Sequence, residues 1–99
     1  MHSSLAISFE QATREVGSLM SAAFDQAGVI DSAHCLASSG LRDGEAIVRE
    51  YLVHSEAGLA YEHLRYMISE ADLCVSDDCK SWLRTIALEL GLPSNDAIA

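Results

Sequence analysis

The chain has 99 residues, 49% hydrophobic and 21% charged, with one Pro and six Gly. That length and apolar content suit one domain with a modest core and argue against a disordered or low-complexity chain. Fifteen acidic against six basic residues give a formal net charge of −9 and a pI of ≈ 4.6. This speaks against binding nucleic acid or an anionic membrane surface directly, because both need clustered Lys and Arg.

Four segments carry a helical period, and none alternates as a strand would. Over about Ser4 to Ala27, the residues Leu5, Phe9, Ala12, Val16, Leu19, Met20, Ala23, Phe24 and Ala27 recur on one stripe. Glu10, Arg14, Ser18, Ser21 and Asp25 take the other face, and Gly28 reads as a left-handed stop. From Val29 to Gly40, Asp31 or Ser32 can cap a short helix through Leu36, ended by Ser38, Ser39 and Gly40. A second long helix is expected from about Arg42 to Val53. Its inner stripe is Ile47, Val48, Tyr51 and Leu52, with Glu45, Arg49 and Glu50 facing water.

Ser55 is then expected to open a helix ending near Ala71, with Ala57, Ala60, Tyr61, Leu64, Met67, Ile68 and Ala71 on its apolar arc. Within it, Ala57 and Ala60 suggest close approach by a neighbour. In the last helix Ser76 can cap, Asp77 and Asp78 put negative charge in the first turn, and Gly91-Leu92-Pro93 closes. Its buried stripe is Cys79, Leu83, Ile86, Ala87 and Leu90, with Trp82 at the edge and a frayed tail from Ser94 to Ala99. The expectation is an all-α fold, a small bundle of four to five antiparallel helices forming a single domain over residues 1–99.

No stretch approaches the roughly 20 apolar residues of a membrane span, and Met1 to Phe9 lacks the basic and apolar runs of a secretory signal. Three cysteines, Cys35, Cys74 and Cys79, do not suit a disulfide framework and point to a reduced, cytoplasmic chain with small buried thiols. A zinc site from these and His34 is the weaker alternative, since a lone C-x4-C lacks paired C-x2-C spacing. His2, His34, His54 and His63 fall in no nucleophile or metal motif, and there is no Gly-rich phosphate loop or calcium loop. The expectation is therefore no enzyme activity, no metal and no cofactor.

The informative feature is the outer face of the third long helix. At about 100° per residue, Glu56, Leu59, Glu62, His63, Tyr66 and Glu70 share a sector opposite the apolar arc, and Asp72, Asp77 and Asp78 extend the acidic field. One reading is a protein-binding face, with apolar and aromatic anchors inside an acidic rim. The other is that a neighbouring segment covers Leu59 and Tyr66, while Glu56 only favours a helix start.

Two segments carry a family likeness, YLVHSEAGLAYEHL (Tyr51–Leu64) and TIALELGL (Thr85–Leu92). From Gly28 onward the chain resembles the MafI-type immunity proteins of bacterial polymorphic toxin and contact-dependent growth inhibition systems. Ser55 stands where that family often has Gly. The resemblance implies a small helical protein in the cytoplasm of the producing cell that binds and neutralises a secreted toxin domain, often a nuclease. The implied partner is thus a basic toxin C-terminal domain, with neither nucleic acid nor membrane, and the chain a monomer or homodimer. A non-enzymatic helical adaptor or scaffold, homodimeric through the Phe9–Phe24 helix or Tyr66, is the alternative.

Overall fold

The structure, a computed structural model, describes residues 3–28, 35–37 and 40–92. Among them it has four α-helices: α1 (Ser3–Ala27), α2 (Gly44–Val53), α3 (Ala57–Glu70) and α4 (Asp77–Leu90), plus one 3-10 turn at Cys35–Ala37. The fold is a small all-α bundle, as the periodicity predicts. At 1.5 Å per residue, the 25 residues of α1 span about 37 Å, close to the 40 Å length of the whole molecule. The shorter helices pack along this rod, most extensively α1 with α4 and α2 with α3.

Helix directions follow from named contacts. Arg49 of α2 meets Glu10 of α1, whereas Glu45, a turn earlier in α2, lies against Gly17, so α2 runs back along α1. Gly44 lies against Met67, and the Tyr51 ring lies beside that of His63, so α3 reverses direction again. Gly44 is buried, and a Cβ there would collide with the Met67 thioether. That absent side chain lets α2 and α3 approach closely.

The core takes Leu5, Phe9, Ala12, Val16 and Met20 from α1 and Val48 from α2. From α3 come Ala60, Tyr61, Leu64, Met67 and Ile68, and from α4 Cys79, Leu83, Ile86 and Ala87. These lie on the predicted stripes, except that of the four residues expected inside α2 only Val48 is fully buried. Tyr51 and Leu52 pack partly against the core, and Ile47 is half-buried at an open surface depression instead. Burying one Leu or Phe side chain stabilises the fold by about 1.5–3 kcal/mol. Leu36 of the 3-10 turn and Leu41 are also buried in this core cluster.

The last helix begins and ends as its sequence indicates. The Cys79 amide donates to Ser76 Oγ (3.1 Å), and Gly91 adopts φ 68°. The Leu92 and Gly91 amides then bond back to Ala87 O and Leu88 O, which satisfies carbonyls the helix leaves open.

Four expectations need correction. Helix α3 starts at Ala57 rather than Ser55, because Ser55 at φ 59° terminates α2: its amide donates to Leu52 O and that of Glu56 to Tyr51 O (2.8 Å). The same motif ends α3 at Asp72, φ 52°. Cys74 is exposed, and only Cys79 behaves as a buried thiol. Glu45 and Arg49 are half-buried rather than facing open water. The short helix expected through Leu36 is described only as the 3-10 turn, and Asp31, Ser32, Ser38, Ser39 and the Ser94–Ala99 tail lie outside the described residues.

Candidate functional site

The outer side of α3 follows from its inner side. Ala60, Tyr61, Leu64, Met67 and Ile68 fix the buried arc, so the opposite residues turn outward. Leu59 is 45% exposed and Tyr66 36% exposed, with Glu62 and Glu70 exposed on the same helix. Glu56 is exposed at the N-cap; its side chain makes no capping bond, while its carbonyl accepts the Ala60 amide.

His63 has a different place from the other five residues of the predicted sector. It is half-buried, and its Nε2 bonds to the carbonyl oxygen of Gly40 at 3.0 Å. Its ring lies between two tyrosines, with centroids 5.5 Å from Tyr66 and 6.4 Å from Tyr51. It ties α3 to the chain entering α2 and supports Tyr66 from behind. This aromatic row brings Tyr51 to the edge of the candidate face, a residue that the helical wheel of α3 alone could not include.

The three aspartates lie beyond α3. Asp72 is exposed in the turn that ends it, and Asp77 and Asp78 are exposed in the first turn of α4, with Lys80 Nζ 3.9 Å from Asp77. Negative charge there suits the positive end of the α4 dipole. Sequence reasoning missed a further acid at this helix start, Glu15. Its carboxylate accepts the Ser76 amide (2.7 Å) and the Ser76 hydroxyl (2.6 Å), clasping α1 to α4. Burial and the nearby Glu15 charge push the Cys79 thiol up to about 12, so it stays a protonated core residue.

A second missed cluster lines the α1–α2 seam. Glu10 accepts from Arg14 Nε (2.8 Å) and Arg49 Nη1 (2.9 Å), and Arg49 Nη2 also reaches Glu45 at 3.0 Å. Hydrogen bonds from Arg49, then Arg14, lower the Glu10 carboxyl to about 2, and the two acids raise the Arg49 guanidinium. Beside this seam a cavity of about 310 Å³ is lined by Gly17, Met20, Ser21, Phe24, Asp25, Leu41, Arg42 and Glu45.

Among the described residues no group of three or more His, Cys, Asp or Glu is placed to hold a metal ion. His34 and the Cys35 side chain, half of the alternative zinc set, lie outside them. No helix among the described residues is long and apolar enough to cross a membrane. Comparison with known protein families, curated proteins and solved structures returns no match.

Proposed function

We propose that the chain is a cytoplasmic immunity protein, which binds a cognate secreted toxin domain and neutralises it. The observation carrying this reading is the exposure of Leu59 and Tyr66 on a helix that also presents Glu56, Glu62 and Glu70, within a chain of net charge −9. Acids at the rim steer a basic partner and raise its association rate, and the apolar pair slows release once water is excluded. A nuclease fits such a partner, because it must present cationic groups to phosphate. An acidic helix laid on that surface keeps nucleic acid from reaching it. Glu56, Leu59, Glu62, Tyr66 and Glu70 make the contacts in this reading, His63 holds Tyr66 in place, and Asp72, Asp77 and Asp78 extend the field.

The test uses the purified C-terminal domain of the large secreted protein encoded beside this chain's gene. Affinity is measured at two salt concentrations, and cells expressing that domain are scored for survival with and without this chain. Nanomolar, salt-weakened binding with rescue is the expected result, while no binding and no rescue overturn the proposal. A second reading, a helical adaptor that pairs with its own copy, draws on the exposed Ile7, Val53 and Leu88, which lie on helices other than α3. Sedimentation of the free chain as a dimer, with no effect on toxin sensitivity, would favour it.

A further inference from the structure

Among the described residues, arginine already sits over an aromatic ring in two places. The Arg42 guanidinium carbon lies 4.2 Å from the Phe24 ring centroid, and that of Arg65 lies 5.7 Å from that of Tyr61. Tyr51 carries no such cation among the described residues. Its ring meets His63 at a steep angle of 61° and borders an open depression of about 440 Å³, whose other described walls are Ala46, Ile47 and Glu50 of α2.

We infer that this depression receives a lysine or arginine side chain of a partner protein. The Ala46 and Ile47 side chains offer an apolar floor for the methylene stem, which long basic side chains bury while keeping the charge near water. The Tyr51 ring attracts a cation placed within about 6 Å of its centroid. Glu50 supplies the carboxylate for a charge-assisted hydrogen bond. One Glu50 oxygen is engaged by His54 Nε2 at 2.9 Å, and the other has no partner among the described residues.

Charge complementarity chooses between occupants. A phosphate or nucleotide would meet the Glu50 carboxylate, and an apolar segment would strip water from it without giving a partner. A second copy of the chain brings another net charge of −9 against the same acidic rim. A basic side chain satisfies the floor, the ring and the carboxylate together. This assignment rests on reading the chain as a binder of a basic toxin domain. It adds α2 to the binding surface, joined to the α3 face through the Tyr51–His63–Tyr66 row.

The experiment has two arms on the full chain. In the first, an acetylated and amidated Gly-Gly-Arg-Gly-Gly peptide is titrated into labelled protein while backbone amide shifts are followed, with the same peptide carrying Gln at its centre as control. The expected result is saturable shifts centred on Ala46, Ile47, Glu50 and Tyr51 with the Arg peptide alone, weakened about three- to fivefold by Glu50→Gln. Absence of shifts there, or equal shifts at Asp77 and Asp78, overturns the inference. In the second arm, wild type, Glu50→Gln and Ala46→Arg are compared for affinity to the toxin domain, and both variants should bind more weakly. Unchanged affinity in both variants overturns the depression and leaves the immunity reading standing. No toxin binding by wild type, with the peptide shifts still localised, overturns the immunity reading and keeps the cation site.

Discussion

The α1–α2 seam and the outward face of α3 both carry glutamates at helical spacing, and they use them differently. In the seam Glu10 and Glu45 are matched by Arg14 and Arg49, all within 3.0 Å of a partner, so the cluster is close to neutral. On α3 and at its N-cap, Glu56, Glu62 and Glu70 stand beside an exposed Leu and Tyr. With the two seam pairs set aside, thirteen acidic residues face only four basic ones in the rest of the chain. The field is therefore not spread evenly over a uniformly acidic surface: one helix pair has used its arginines on itself, and the excess lies elsewhere. The seam arginines are committed to seam acids, while the α3 glutamates are solvent-exposed.

The largest expected effect comes from reversing the α3 charges. The Glu62→Lys, Glu70→Lys double variant should associate with the toxin domain more slowly by a factor on the order of ten or more at low salt. The Glu62→Lys change alone should leave the unfolding free energy within about 0.5 kcal/mol of wild type. Stopped-flow association and urea unfolding check the two halves, and an unchanged association rate would remove α3 from the binding face. Arg49→Met should do the opposite. It leaves Glu10 and Glu45 without their shared cation and should cost about 1 kcal/mol in urea unfolding, a modest figure because the network is half-exposed, with toxin association unaltered.

Gly17→Ala presses on the seam from the α1 side. The new Cβ would collide with the Glu45 carboxyl, which is the flexible end of its side chain and can swing away, at the expense of its bond to Arg49. Alanine also favours helix over glycine by up to about 1 kcal/mol, so the net change should fall within about 0.5 kcal/mol of zero. Combined with Arg49→Met, it should prove more favourable than the sum of the single changes, because the bond it disturbs is already gone.

The smallest effect under ordinary conditions is that of pH. The folded Glu10 carboxyl lies near 2 against an ordinary 4.5. Its contribution is fully present above about 4.5 and is lost as pH falls through about 2. Acid unfolding of wild type and Glu10→Gln should therefore differ at neutral pH and converge below pH 4.5. A difference persisting unchanged near pH 2 would show that Glu10 is not its source.

What the sequence discloses divides along the distance between partners. The ends of α4 were legible because their bonds are local: the Cys79 amide donates to Ser76 Oγ, and the Gly91 and Leu92 amides donate to Leu88 O and Ala87 O. The buried arc of α3 was legible because an apolar repeat reports only on its own helix. Glu45 and Arg49, read alone, make an ordinary i,i+4 pair on a wet face. It is Glu10, 39 residues away, that makes them a seam. Glu15 and Ser76 are 61 residues apart, and neither marks the other.

Ser55 misled for a subtler reason. Serine is a common helix cap, yet here it takes the left-handed position that closes α2, where glycine is the usual occupant. Exposure of Leu59 and Tyr66 depended on whether another segment covered them. Tyr51 entered the site only through the packing of α2 on α3, which no single-helix projection contains.

The Glu15–Ser76 clasp also bears on the order in which the chain assembles. The α2–α3 hairpin joins helices separated by a three-residue turn, so its contacts form early and locally. The most extensive partner of α1 is instead the last helix, and the clasp closes across 61 residues. During synthesis, the apolar stripe from Leu5 to Met20 waits without α4 until nearly the whole domain has emerged. Docking of the last helix is thus the late, cooperative step, and a ribosome pausing within α4 would hold the chain in its most aggregation-prone form.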